Sequence, residues 1–329
     1  MARPKIVVTN QAFPETLALL EPRFEVVSNP SAEALDEHAL RSSARDAWGI
    51  LAFMPDRVDQ ALLDACPQLR IVACALKGFD NFDVEACTNR GVWLTIVPDL
   101  LTEPTAELAI GLAIALSRHL LLADSHVRGG RFIGWRPTFY GRSLDGSRVA
   151  VVGCGRVGQA IARKLAGFSC EVLMSDNDPE AVAPAHARRV DSATALRHAD
   201  FVFLAVPLLP STLNMIDSDW LAQLPRGALL INPARGSVVN EAAIADALES
   251  GQLGGYAADV FEFEDWARED RPRAIEPRLL ALADRTLFTP HIGSAVESVR
   301  RQIELDAAQN LIEALDGKRP HGAIRDLRS

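Results

Sequence analysis

The sequence predicts an α/β chain built from two doubly wound parallel-sheet domains, and three observations carry that expectation. Short apolar runs alternate with amphipathic segments from one end to the other. A glycine-rich turn stands between an apolar run and a helical one in "RVAVVGCGRVGQAIARKL". At 329 residues the chain also exceeds what one hydrophobic core normally serves. Strand and helix in strict alternation imply parallel strands joined by right-handed crossovers.

Taken in order, "KIVVTN", "GILAFM", "LRIVACAL" and "VWLTIV" read as strands of a first domain, with helical stretches such as residues 59–65 between them. The segment from Pro104 to about Val127 has proline near its start and apolar residues at helical spacing, which predicts one long helix linking the halves. A second series of strands follows in "RVAVVG", "EVLMSD", "FVFLAV", "ALLINPA" and "YAADVF". From about Ala295 to Leu315 a last helix is expected, packing back on the first domain.

Composition narrows the function. A net charge of -9 argues against a nucleic-acid surface, which needs clustered Lys and Arg. No apolar stretch approaches the roughly 20 residues of a membrane span. The opening "MARPKIVVTN" runs into a strand and leaves no room for a signal peptide. The five cysteines form no C-x-x-C pair, which suits a reducing cytoplasm and argues against a bound metal.

Gly153, Gly155 and Gly158 have G-x-G-x-x-G spacing after a strand and at the start of a helix. The first allows a tight turn, the second lets a pyrophosphate approach the backbone, and the third lets helix and strand pack closely. Backbone N–H groups at the helix start, those of Arg156 and Val157 among them, then face the phosphates. Asp176, 18 residues past Gly158 and followed by Asn177, ends the next strand, where a carboxylate accepts hydrogen bonds from the adenosine ribose. Asp178 and Glu180 come next, and no Arg or Lys stands close by in the sequence to receive a 2′-phosphate. NAD is therefore expected over NADP. "AVPL" and "INPARG" lie at the carboxyl ends of later strands, the edge at which such sheets bind ligands.

Three chemical groups recur at those strand ends. Arg235, in "NPARGS", offers a guanidinium fork suited to an oxyanion. Glu264, in "DVFEFEDW", lies five residues past Asp259. His291, in "TPHIGS", follows a strand and a proline, and none of the other six histidines sits at such a junction. A histidine held by a carboxylate is a general acid or base.

The order Gly-x-Gly-x-x-Gly, Asp, Arg, Glu, His resembles that of the D-2-hydroxyacid dehydrogenase superfamily, and the resemblance covers the whole chain, "TAELAIGLAIALSR" included. It implies a Rossmann NAD domain at 101–290 inserted into a flavodoxin-like substrate domain formed by 1–100 and 291–329. It also implies a homodimer with the active site in the cleft between domains. By the same resemblance Asp259 lies near the nicotinamide carboxamide, and Pro207 and Pro233 shape that pocket. Thr105, Ala234 and Gly293 join the cofactor contacts, with Lys77, Arg235 and His291.

Within that superfamily, "AFMPDRVD", "CALKGFDNFDV", "VPDLLTEPTAELAIGLA", "GWRPTFYG" and "GGYAADVFEFEDWARED" resemble the phosphite (phosphonate) dehydrogenases. That likeness implies oxidation of a small inorganic oxyanion, phosphite. Lys77 beside Gly78 would add an ammonium to the anion site, and Arg300 a further cation. Met54, Trp135 and Tyr140 would wall a small cavity. The rival expectation is a glyoxylate or hydroxypyruvate reductase, which shares Arg235, Glu264 and His291. A nicotinamide-sensing binding protein is a third.

Overall fold

Short apolar runs build most of the first sheet of the structure, a computed structural model that describes residues 2–31, 33–265 and 268–324. The chain divides into two units, one formed by Met1–Leu101, Trp266–Glu269 and Ala295–Ser329, the other by Thr102–Asp265 and Asp270–Ser294. His291 and Gly293 thus belong to unit 2, whereas the sequence reading opens the substrate domain at residue 291.

Unit 1 begins with β1 (Lys5–Val8), α1 (Pro14–Leu20), β2 (Glu25–Ser28), α2 (Glu37–Ala44), β3 (Gly49–Ala52), α3 (Gln60–Ala65), β4 (Ile71–Cys74), α4 (Val84–Asn89) and β5 (Trp93–Thr95). Among the described residues its sheet has the order β2-β1-β3-β4-β5, with the strands parallel. β3 and β4 are buried throughout, which is why they read as continuous apolar runs. Strand β2, mostly exposed at the sheet edge, carries no such run. Asp36, Asp59 and Asp83 start α2, α3 and α4 by accepting a backbone N–H three residues on.

Unit 2 opens with a helix that the sequence predicts as one piece and the structure divides into α5 (Thr102–Ser117) and α6 (Leu120–Arg128), bent by 62°. At the break the Ser117 carbonyl accepts the Arg142 N–H at 3.0 Å, and His119 takes a left-handed φ of 52°. The diverted carbonyl ends the helix where no glycine or proline marks the sequence. Then come β6 (Arg148–Val152), α7 (Arg156–Leu165), β7 (Glu171–Ser175), β8 (Ala187–Arg189), α8 (Ser192–Leu196), β9 (Phe201–Leu204), α9 (Ser218–Leu221), β10 (Ala228–Asn232), α10 (Glu241–Glu249), β11 (Leu253–Ala258), α11 (Pro277–Ala281) and β12 (Thr286–Phe288). The parallel sheet runs β12-β11-β10-β9-β6-β7-β8, so strand order reverses between β6 and β9. Such a switch point is where doubly wound sheets bind ligands. Helix α12 (Glu297–Leu315) then returns to unit 1, burying Ile303, Ala307, Ala308 and Leu311 against Ile6, Val8, Leu51 and Ile71. Among the described residues no single helix is long and apolar enough to cross a membrane, though the bent pair α5–α6 reaches that length jointly.

One buried acid of unit 1 couples its stability to pH. Asp56 is 4% exposed, and its Oδ2 accepts the Thr9 hydroxyl and, at 2.7 Å, the Phe53 N–H. Burial pushes its carboxyl up from 3.8 to about 6, and the two hydrogen bonds only partly oppose this. The folded pKa is raised, so this group's stabilisation is complete below about pH 4 and is lost as pH rises through about 6. The loss amounts to about 3 kcal/mol by linkage. Asp56→Asn keeps an oxygen for both donors and never ionises. Denaturant unfolding should therefore show the variant gaining on the wild type between pH 4 and pH 7, and parallel profiles would contradict the assignment.

Candidate active site

The glycine turn sorts its three residues by what surrounds them. A Cβ on Gly153 would stand 2.5 Å from the Ala205 carbonyl oxygen, at a φ of 107°, and one on Gly158 would stand 2.0 Å from the Gly153 carbonyl oxygen. A Cβ on Gly155 would meet nothing within 4 Å. The first and third are thus required by the protein itself, while the second leaves open space beside the N-terminus of α7, where a pyrophosphate belongs. Exposed Arg156 and half-buried Val157 open that helix. Asp176 follows β7, its Oδ2 accepting the Cys154 N–H at 2.6 Å and its Oδ1 the Asp178 N–H at 2.9 Å. These features fit a dinucleotide.

The structure corrects one expectation here. Arg189, at the end of β8, reaches the loop after Asp176 and donates to the carbonyls of Asp178 and Pro179, each at 2.6 Å. A cation therefore does stand beside the ribose end. It escaped the sequence reading because it arrives from the neighbouring strand, opposite Met174 in register.

At the carboxyl ends of β10, β11 and β12 the structure joins Glu264 to His291. Glu264 Oε1 accepts the Phe261 N–H at 2.7 Å, and Oε2 lies 2.9 Å from His291 Nδ1. A carboxylate only accepts, so Nδ1 carries the hydrogen, and in the neutral ring that leaves the lone pair on Nε2. Both side chains are mostly enclosed, with 18% and 25% of their surface exposed.

Asp259 holds the segment that carries this histidine. Its Oδ1 accepts the Thr289 hydroxyl at 2.6 Å and the Ile292 N–H at 2.8 Å, and its Oδ2 the Gly293 N–H at 2.7 Å. Its backbone carbonyl takes the His291 N–H at 2.8 Å. His291 has a φ of 55°, a left-handed conformation that a side chain other than glycine adopts only when its surroundings impose it. Four hydrogen bonds accepted by Asp259 impose it. Burial raises the Asp259 carboxyl, and the Thr289, Ile292 and Gly293 donors oppose that rise. Thr105 joins the same cluster, since a Cβ on Gly293 would lie 3.2 Å from its hydroxyl.

Arg235 leaves β10 half-buried and donates from Nη1 to the Ala234 carbonyl at 2.8 Å. Asn232 fixes the turn, accepting the Ala234 N–H at 3.1 Å and donating to the Arg235 carbonyl at 3.0 Å. Asp265, which the sequence reading passed over, takes the Ser237 N–H at 2.6 Å and feels the Arg235 charge. It is 6% exposed, and burial raises its carboxyl. The arginine and glutamate loops are therefore stapled through Asp265, which in "FEFED" looks like one more acid in a row. Pro233 is buried and Pro207 exposed, the latter's carbonyl accepting the Thr212 hydroxyl at 2.7 Å.

Unit 1 carries the remaining candidates. Arg300, on α12, donates to the Ala75 carbonyl at 3.3 Å, just past β4. Burial pulls its pKa down, with Glu304 opposing. Lys77, two residues beyond Ala75, and Gly78 are half-buried. Met54 packs on the core of this unit, and its carbonyl accepts Asn81 Nδ2 at 3.1 Å, which ties its loop to the one following Gly78. Trp135 and Tyr140, the other expected cavity walls, lie on an irregular segment of unit 2 and are 77% and 75% exposed.

Comparison with known proteins matches residues 110–293 to the model of the D-isomer specific 2-hydroxyacid dehydrogenase NAD binding domain. A glyoxylate reductase of Thermococcus kodakarensis is 37% identical over 326 residues, covering 97% of this chain and 95% of its own. Among solved structures, a protein from Thermus thermophilus superposes with a TM-score of 0.89 at 31% identity, covering 98% of this chain and 100% of its own. An NADPH-dependent glyoxylate/hydroxypyruvate reductase from Sinorhizobium meliloti, in complex with citrate, gives 0.83 at 30% identity, with 99% of each chain covered. The fold, the dinucleotide turn and these matches agree: the chain belongs to the D-isomer specific 2-hydroxyacid dehydrogenase family and is an NAD-binding oxidoreductase.

Proposed function

We propose that this oxidoreductase converts phosphite to phosphate, transferring the P–H hydrogen as hydride. The observation that carries the reading is the pair of cations at the carboxyl end of β4, Lys77 and the part-buried Arg300. A 2-hydroxy acid brings one negative charge, phosphite up to two and no carbon skeleton to bury. Cations held partly out of water match a small, highly charged ion better than a monoanion.

Bound NAD would supply the hydride acceptor. The protein supplies the rest. His291 Nε2 takes a proton from the water whose oxygen adds to phosphorus, and Glu264 holds the ring in the required tautomer and stabilises its protonated form. Arg235 orients the anion and offsets charge that develops in the transition state.

A second reading is reduction of glyoxylate or hydroxypyruvate, in which a protonated His291 donates to the carbonyl oxygen. The relatives' names favour it over phosphite, since those named above are glyoxylate reductases where they carry an activity. The cation pair favours the first. NADH formation from phosphite and NAD, measured beside NADH loss with glyoxylate, separates them: glyoxylate turnover with no phosphite-dependent NADH overturns the proposal. On the first reading Lys77→Ala should raise the phosphite KM by about 10- to 100-fold, the worth of one charge-assisted hydrogen bond, with a smaller change in kcat. An unchanged KM would remove Lys77 from the anion site.

The proposal extends to a cytoplasmic homodimer. Leu120, Leu121, Phe132, Ile133, Trp135 and Tyr140 are large, apolar and exposed, which supports pairing with a second copy, and the five cysteines are free, as suits a reducing compartment.

A further inference from the structure

We propose that Arg189 is a built-in 2′-phosphate partner, and that Asp176 alone keeps it from being used. Preference for NAD at this site is then set by one carboxylate and not by the lack of a cation.

The loop after β7 holds both charges. Asp176 spends one lone pair of each oxygen on the backbone, on the Cys154 N–H and the Asp178 N–H, and so is fixed at the mouth of the glycine turn. Arg189 lies across the far side of the same loop, with Nη2 2.6 Å from the Asp178 carbonyl and 3.5 Å from that of Asp176, and Nη1 2.6 Å from the Pro179 carbonyl. Among the described residues it forms no ion pair, and its hydrogen-bond partners are backbone carbonyls. Both charges reach the turn: burial first, then Asp176, raises the Cys154 thiol, while Arg189 lowers it.

A ribose 2′-phosphate placed at the Asp176 carboxylate meets like charge at hydrogen-bond distance. With that carboxylate neutralised, the same phosphate can draw the guanidinium off the Asp178 and Pro179 carbonyls and bind it through two parallel N–H donors. No further cation needs to be added to the site.

Calorimetric titration of NAD and NADP into the purified enzyme tests this without turnover. Asp176→Asn preserves the shape of the side chain and is expected to tighten NADP binding by at least about tenfold, while weakening NAD. Adding Arg189→Gln should abolish that gain. Glutamine can still donate to the loop carbonyls, so a loss confined to NADP reports charge, not loop collapse. In the Asp176→Asn background, NADP affinity should also fall with added salt more steeply than NAD affinity. If Asp176→Asn leaves NADP no tighter, or if Arg189→Gln weakens both dinucleotides equally, Arg189 is only a loop clamp and the proposal fails.

Discussion

His291→Asn is expected to lower kcat by about 10²- to 10⁴-fold, the usual worth of a positioned general acid or base, with dinucleotide affinity changed only a few fold. Asparagine is the informative replacement because residue 291 has a φ of 55°, and asparagine tolerates the left-handed region better than alanine does. The backbone bonds to Asp259 should then survive, and a loss of activity reports chemistry, not an unpinned loop. Glu264→Gln gives the matching control. A glutamine amide in place of Oε2 can donate to Nδ1, which favours the tautomer with its hydrogen on Nε2 and removes the lone pair the reaction needs. Its kcat should fall too, by less than that of the histidine variant, with a shifted pH profile. Single-turnover kinetics beside calorimetry checks both, and a histidine variant with a raised NAD dissociation constant but normal kcat would move His291 from catalysis to cofactor binding.

The parts of this molecule legible in the sequence share a physical cause. β3, β4, β6, β9 and β10 lie inside parallel sheets, so burial on both faces writes them as apolar runs. Gly153 and Gly158 could be read because a side chain at either would collide with backbone. What sequence reasoning missed was set by tertiary neighbours. Strand β8, "ARR", has almost no apolar content and exists through pairing with β7. The break after Ser117 depends on an N–H 25 residues later, from Arg142. Arg189 and Asp265 have no motif spacing at all, since each acts on a loop reached through the fold. The Glu264–His291 pair was legible as residue types at strand ends, but not its geometry: Glu264 lies five positions past Asp259, yet Asp259 fixes the His291 backbone and Glu264 its ring.

On the proposed reading Arg235→Ala lowers kcat/KM by about 10²- to 10³-fold or more, since it would remove both an anion contact and charge stabilisation in the transition state. Arg235→Lys is the sharper variant. It keeps the charge but loses the planar fork, and its ammonium cannot reproduce two parallel N–H donors. The position is prepared for arginine: Asn232 fixes the turn on both sides of residue 234, and Asp265 anchors the following segment through Ser237 while placing a negative charge near the guanidinium. A lysine should therefore recover part of KM and little of kcat if Arg235 orients the anion against the cofactor. If lysine restores both, charge alone suffices and the directional role is wrong. Asp265→Asn divides the contributions further. Its amide oxygen can still accept the Ser237 N–H, so the loop stays in place while the negative charge beside Arg235 disappears. Equal kcat in that variant would make Asp265 a staple, whereas a tighter anion KM would show that its carboxylate normally restrains the charge that Arg235 offers to substrate.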